Sequence, residues 1–517
     1  MRLQFRTTMP AVLKVFLLAA CLLGSKPAFA QTDIEYRGHV QSDLRASIPG
    51  NDKPSDSPEY AFGRTDNLAQ FVASFTWGSV QAVADMALVF SGRSEVQGME
   101  DLQSRPKVDP YYLESDSLYV EVSDVVVEGI DIRLGRQIIK WGTADMFNPT
   151  SVLNGYDLED PLDFGRQVAN EMVVVNISPD WMVEGDEAPI FAEPTLMLVA
   201  IPKFRSGLIP DSALLVFSEP SQFGRFVRSP LINNLIDVQE KFLEKGGAVV
   251  YDVNVKEPEA LLENTQLGGR LSFTLLGLDL GVMAYKGYDH NTQPGRDFVT
   301  DDGLFGLFDD FEDTLRNDIE GLMKLLDLPG IVGPGITIAT EITLVYPEVR
   351  VVGADLSTSI DMLGGLGLWA EFAMTYHDGV NMDLIIGDVM ESEEVQVRPG
   401  KFWKLTAGMD YTITKWWYLN VQYLHGFIDE FGSEFLSDYI VAGSDFKTFD
   451  EQVLLRLFGI IQVQDESFIV FPQLAFKFWQ NTELVAGALL HGGDKDSKFG
   501  NRTAGANTIF VKGLYAF

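Results

Sequence analysis

Ile34-Glu-Tyr-Arg-Gly-His-Val-Gln-Ser-Asp-Leu-Arg-Ala46 decides the fold. Its apolar or small residues (Ile34, Tyr36, Gly38, Val40, Ser42, Leu44, Ala46) take every second position, and Glu35, Arg37, His39, Gln41, Asp43 and Arg45 fill the alternate ones. Successive side chains of a strand point to opposite faces, so this period of two describes a strand with one apolar and one polar face. A soluble sheet with one wet side could hold one such strand. Here the pattern recurs along the chain, each time at about the length of a tilted strand crossing a bilayer.

The repeats pair as hairpins. Leu68–Trp77 and Val80–Ser91 flank Gly78-Ser79, and the second of them puts Val80, Ala82, Ala84, Met86, Leu88 and Phe90 on one face. Thr265–Leu275 and Leu278–Gly287 flank Gly277, and Lys404–Ile413 and Trp417–Phe427 flank Thr414-Lys415. Leu363–His377 sets Phe372, Met374 and Tyr376 against Glu371, Ala373 and Thr375; Val453–Val463, Phe468–Trp479 and Glu483–His491 follow. Between these lie long polar connections at Gly50–Gly63, Gly92–Ser115, Gly142–Arg166 and Gly492–Ala506. Short turns alternating with long loops, and tryptophans near strand ends (Trp77, Trp403, Trp416, Trp417, Trp479), are the marks of a transmembrane β-barrel. A closed barrel is the one sheet that leaves no backbone edge unpaired in hydrocarbon. The competing architecture is a large secreted all-β solenoid or adhesin. The pattern predicts an all-β, antiparallel transmembrane barrel of about 16 strands, in the range of about 14 to 18. The turns at Thr414-Lys415 and Asn481-Thr482 share one side only if a further strand hides between Ile428 and Glu451.

Two stretches follow a helical period instead. Leu304–Leu328 spaces Leu304, Phe308, Phe311, Leu315, Ile319, Leu322 and Leu326 along one face, with acids between them; Ser229–Lys245 does the same with Ile232, Leu235, Ile236, Val238, Phe242 and Leu243. They predict helical insertions near residues 204–264 and 288–336 within a single barrel domain spanning 31–517. Such helices plug or cover the lumen, or simply cover an external loop.

The chain has 517 residues, 39 Lys+Arg against 74 Asp+Glu, and one cysteine. Met1–Ala30 has the form of a secretory signal: Arg2, Arg6 and Lys14, then the apolar run Val15–Gly24, then Ala28-Phe29-Ala30. Leu18-Ala19-Ala20-Cys21 offers a competing lipobox, which would leave only Val15–Ala20 as the apolar region. Removing the signal takes away four bases and no acid, so the formal charge moves from −35 to −39. That balance excludes nucleic acid as a partner, since phosphates need clustered Lys and Arg. The cysteine count excludes disulfide frameworks and cysteine-rich metal centres. The expected location is the cell outer membrane, with its lipid as the first partner.

The last residues, Asn507-Thr-Ile-Phe-Val-Lys-Gly-Leu-Tyr-Ala-Phe517, resemble the C-terminal assembly signal of bacterial outer-membrane barrels, with Tyr515 and Phe517 in the matching places. That resemblance implies recognition by the β-barrel assembly machinery. The segment Leu134-Gly-Arg-Gln-Ile-Ile-Lys-Trp-Gly-Thr-Ala-Asp-Met-Phe-Asn-Pro-Thr150, with Gly155-Tyr-Asp-Leu-Glu-Asp-Pro161, is similar to a Gly-Arg-Gln…Trp-Gly…Asn-Pro signature. It belongs to a poorly characterised group of proteobacterial outer-membrane barrels, related in style to porins and alginate-export barrels. Tyr346-Pro-Glu-Val-Arg350 through Ser357 resembles a second shared segment. The resemblance implies a channel, or the outer-membrane component of an export system for a hydrophobic or lipid-like compound.

Read physically, Arg136, Gln137, Lys140, Trp141, Asp145, Asn148 and Asp157 gather charged, amide and aromatic groups at one strand end and its loop. A loop of this kind folded inward narrows a pore and sets its selectivity. The plainer alternative is a hydrogen-bonded and ion-paired network that only fixes the loop. The chain carries no Gly-x-Ser-x-Gly elbow, phosphate loop, His-Glu-x-x-His or dinucleotide fingerprint, so no enzyme activity, catalytic residue, metal or cofactor is expected. The acids at Asp309-Asp310, Glu391 with Glu393-Glu394, and Asp494 with Asp496 lack calcium-loop spacing. Two functions remain, a channel for an unnamed solute and a surface interaction protein anchored by its barrel. The assignable inward faces carry Arg37, Arg45, Arg133, Arg270, Lys404, Arg456 and Lys477 against Glu35, Asp43, Asp85, Glu121, Asp131, Asp279, Glu371 and Asp410. This near balance predicts opposed charges on the wall and weak ion selectivity. Neither the direction of transport nor the oligomeric state follows from the sequence.

Overall fold

The structure is a computed structural model, and it describes residues 32–48, 61–62, 65–96, 98–184, 190–210, 229–300, 311–328, 332, 336–387, 390–495, 497–501 and 504–517. The signal region and Leu304–Asp310 lie outside these residues. Eighteen strands run antiparallel in chain order: β1 Thr32–Ser47, β2 Asp66–Trp77, β3 Val80–Ser91, β4 Tyr111–Val122, β5 Ile130–Gln137 and β6 Asn170–Ile177. They continue as β7 Phe191–Ile201, β8 Gln266–Leu275, β9 Leu278–Tyr288, β10 Glu348–Ile360, β11 Leu366–His377 and β12 Gly400–Thr414. The set ends with β13 Trp417–His425, β14 Asp438–Thr448, β15 Val453–Gln462, β16 Phe468–Trp479, β17 Thr482–Gly492 and β18 Thr508–Ala516. Each pairs with the next, and β18 returns to β1 in register from His39↔Ala516 to Ser47↔Thr508. The barrel is closed.

The count corrects the central expectation of about 16 strands. The strand hidden between residues 428 and 451 is β14, which places the turns after β12 and β16 at the same end. Also unmarked by the pattern are β6, β7 and β10. Both termini of the barrel share one end, as an even strand number requires, together with most of the tight turns; most of the long connections share the other, along with the five-residue link 463–467 between β15 and β16.

Every barrel strand presents large apolar side chains outward. Val40, Phe71, Met86, Leu113, Leu134 and Val173 open a band that continues through Leu198, Leu271, Val282, Phe372, Tyr423, Ile440, Val470 and Val511. A continuous apolar belt on a closed sheet is stable only in lipid. Trp77, Trp416, Trp479 and Phe517 ring the short-turn end, while Trp403, stacked on His425 at 4.0 Å, lies near the other. No helix among the described residues is long and apolar enough to cross a membrane.

The connections after β7, β9 and β11 build a second, five-stranded sheet from Ala248–Lys256, Gln293–Thr300, Thr337–Val345, Val380–Ile386 and Met390–Val397. Three helices pack on one face of it: α1 Pro230–Glu244, α2 Phe311–Asn317 and α3 Ile319–Leu326. Ser229 caps α1, its Oγ accepting the Ile232 N–H at 3.3 Å, and Pro230 supplies a preset first turn. Leu231, Ile232, Leu235, Ile236, Val238 and Phe242 then bury one stripe against Leu315, Leu322, Leu326 and the sheet. Val380 belongs to the apolar cluster inside the barrel, while Met382, Leu384 and Ile386 on the same strand face lie under the helices. The helices therefore stand on the luminal side of this raised wall. The connection at residues 378–399 takes part in it although the helical period gave no sign there.

Candidate functional site

Between β5 and β6 the chain does not turn back at the rim but folds into the barrel from residue 138 to residue 169. Apolar residues hold it there: Trp141 and Leu153 are fully buried among Met172, Val174, Val199, Ile201, Val349 and Val351 on the wall. Phe147 packs with Phe427 (ring centroids 5.2 Å apart) and Phe164. These contacts explain why β6, β7 and β10 carry apolar residues on both faces, and why period-two alternation fades there.

A single carboxylate fixes the motif segment. Glu371 of β11 accepts the backbone N–H of Thr143 and of Ala144, each at 2.5 Å, and Asn148 Nδ2 at 3.1 Å. Its other oxygen accepts the Thr150 hydroxyl at 2.8 Å. Gly142, at φ +94°, is where the chain bends past this carboxylate, and a β-carbon there would strike the carboxylate oxygens. Asn154 closes the neck of the loop, accepting the Ile139 N–H at 3.0 Å and donating to Val168 O at 2.8 Å. His290 braces the neck from the connection after β9: Nδ1 lies 3.0 Å from Arg205 O and Nε2 3.2 Å from Val152 O. Burial holds its pKa below the ordinary value, although Asp289 and the two carbonyls favour the charged ring.

The residues singled out in the sequence fall in three places. Arg136 stays in the wall, its Nε donating to Ser115 O at 2.6 Å and Nη1 meeting Glu171 at 3.2 Å. Gln137, also in the wall and buried, accepts from Arg133 at 3.4 Å. Lys140 is exposed and donates to Gly165 O at 3.4 Å, whereas Trp141 is buried with Nε1 3.4 Å from Met197 Sδ. Asp145 and Asn148 bind the far wall, Asp145 through Asn420 Nδ2 at 2.9 Å and Asn148 through Glu371. Asp157 reaches the loop tip, where burial raises its carboxyl above the usual range against the pull of Arg166. Tyr515 and Phe517 point outward, and Phe517 pairs its backbone with Gly38 at 2.9 and 3.0 Å.

The tip crosses to the opposite wall through two arginines. Arg45 of β1 joins Asp43 (2.5 Å) on its own strand to Asp160 (2.6 Å) on the loop. Arg166 joins Glu114 to Asp116 at 3.7 Å and Asp157 at 3.6 Å; burial opposes its charge, but these three carboxylates raise its pKa. Other inward bases are matched in the same manner: Arg133 with Glu121 at 2.5 Å, Arg270 with Asp355 at 2.7 Å, Arg456 with Asp445 at 2.7 Å. The wall is a mixed-sign ladder.

The loop packs against one half of the lumen and leaves space along the other. A cavity of about 370 Å³ lies on the short-turn side, between the loop tip and β16–β18 with β1–β4. One of about 600 Å³ lies on the long-loop side, lined by Phe427, Phe431, Phe435, Phe499 and the loop residues 157–162. Both are bounded by Arg45, Asp160 and Leu162, so that the Arg45–Asp160 bridge stands between them.

Solved structures with a similar arrangement include a mutant of the Rh. blastica porin, at 8% identity and a TM-score of 0.36, covering 94% of this chain and 100% of that one. The Vibrio cholerae outer-membrane protein OmpT, in its trimer form, aligns at 10% identity and 0.33, covering 94% and 99%. No protein-family model and no curated protein matches. Closure of the strands and the lipid-facing belt give the assignment. The chain is a closed, antiparallel transmembrane β-barrel of 18 strands. Sequence reasoning included Asp43, Arg45 and Glu371 only as members of inward faces. Nothing local ties Glu371 to a loop 221 to 228 residues earlier.

Proposed function

We propose that this porin-like barrel is a channel, without catalytic chemistry, whose eccentric path is set by the loop at residues 138–169. The observation that carries this reading is the pair of cavities meeting at Arg45, Asp160 and Leu162, one opening toward each end of the barrel. Trp141, Asp145 and Asn148 hold the loop in the lumen, Asp157 shapes its tip, and Arg136, Gln137 and Lys140 anchor its base. A solute with an apolar body, the hydrophobic or lipid-like class, suits the phenylalanine-lined outer cavity. The chain is exported by its first 30 residues, and the barrel-assembly machinery reads Tyr515 and Phe517 as it inserts. An export system as partner belongs to the same proposal.

Planar-bilayer recording of the purified full chain tests the reading. Discrete conductance steps are expected, and a folded barrel that never conducts would overturn it. The raised α/β wall favours a second reading, a surface interaction protein with the barrel as anchor. That reading expects a silent bilayer and a surface partner lost on deleting residues 304–328.

A further inference from the structure

Resting on the channel reading, we infer that the path selects amphipathic cations, an aryl or alkyl body carrying an ammonium group. Inward strand faces alone come close to charge balance; the loop shifts it. Residues 138–169 bring Asp145, Asp157, Glu159, Asp160 and Asp163 into the barrel against Lys140 and Arg166. The inner cavity is consequently lined by seven carboxylates and three bases among the described residues, and the outer one by five and three. Both throat arginines already have carboxylate partners, Arg45 two and Arg166 three, so an arriving anion meets bases that are neutralised in place. An arriving cation meets the carboxylate excess in a lumen of low-dielectric walls, where field lines are focused.

The outer cavity adds a second, independent selection. Phe164, Phe427, Phe431, Phe435 and Phe499 line it, and Phe427 already holds a cation, the Lys498 ammonium at 5.3 Å from its ring centre. Ring faces attract cations and bury apolar bodies, whereas they give an anion nothing. An amphipathic cation satisfies both halves of the path: its body takes the rings and its charge leads into the throat.

Planar bilayers with the full chain provide the test, using phenethylammonium, ethylammonium and phenylacetate as probes in potassium chloride. The reversal potential in a salt gradient should favour K⁺ over Cl⁻, and the preference should fall in Asp85→Asn with Asp163→Asn. Phenethylammonium should interrupt the current at concentrations at least fivefold below either other probe. That advantage should shrink in Phe431→Leu, which keeps bulk and removes the ring face; heat-modifiable migration confirms that each variant folds. A Cl⁻ preference, or equal block by phenylacetate, overturns the inference and leaves the channel standing. A folded barrel without conductance overturns both.

Discussion

Replacing Glu371 by alanine removes the acceptor of four donors and leaves two backbone N–H groups and the Thr150 hydroxyl to find partners inside the barrel, while the Asn148 amide keeps its bond to Ala144 O at 2.6 Å. Each bond to a charged acceptor is worth about 1.5–3 kcal/mol net, but they share one carboxylate and do not add. Water in the lumen also restores part of the loss. Deleting one side of a buried charged network typically costs about 3–5 kcal/mol, which at about 1.4 kcal/mol per decade is about two to three and a half powers of ten in the ratio of seated to released loop. Glu371→Gln keeps the shape, and its amide can donate to the Thr150 oxygen while its carbonyl accepts the other three. The loss there is the charge assistance, about 1–2 kcal/mol. Single-channel recording should show larger, noisier steps in the alanine variant and near-normal steps in the glutamine variant. Protease should nick residues 138–169 in the same order. Equal conductance and equal protection in wild type and Glu371→Ala would refute the view that this carboxylate seats the loop.

Gly142→Ala should resemble Glu371→Ala in conductance, because the new methyl strikes the carboxylate and the backbone sits at φ +94°; its cost is about 1–3 kcal/mol, and a wild-type trace would contradict it. His290 should make the neck of the loop acid-sensitive. Its folded pKa lies below the ordinary 6.5, so the unfolded ring binds the proton first and stability falls as pH drops below that value. Protease nicking of the loop should rise on acidification and flatten in His290→Gln, whereas protection that grows in acid would mean the charged ring bridges both carbonyls. Phe517→Ala should lower the yield of heat-modifiable barrel in cells several-fold while leaving the conductance of assembled molecules intact, as measured by gel shift and bilayer recording.

How much of this was legible in the sequence depended on what each strand's inner face touches. β3 could be bounded at both ends, Val80 and Ser91, from alternation, since Met86, Leu88 and Phe90 face lipid while Gln81 and Asp85 take the inner face, where Asp85 lines a cavity. Met172 and Val174 of β6, and Val199 and Ile201 of β7, instead support Trp141 and Leu153, and an inner face that is itself apolar erases the period. β14 was hidden for a related reason, because Tyr439 and Val441 pack under the aromatic cluster around Phe427. Helical stretches at 230–244 and 311–326 announced themselves through a 3.6-residue stripe. The raised sheet beneath them did not, since its strands come from three separate connections and two of its pairings are parallel. The motif residues were visible as a group, but their receptor Glu371 was not, because seating a loop is a long-range property that neither spacing nor composition encodes.

The seam between β1 and β18 also orders events in time. His39 pairs with Ala516 and Gly38 with Phe517, so the first barrel strand to leave the ribosome waits, unpaired on one side, for the last. No earlier stage of synthesis offers a closed cylinder, and until the seam forms both margins present free N–H and C=O groups to any neighbouring strand. A chain of this length held open at both margins is a substrate for aggregation and for proteases. A chain that stops even one strand early lacks β18 and cannot form this seam, so its margins stay open.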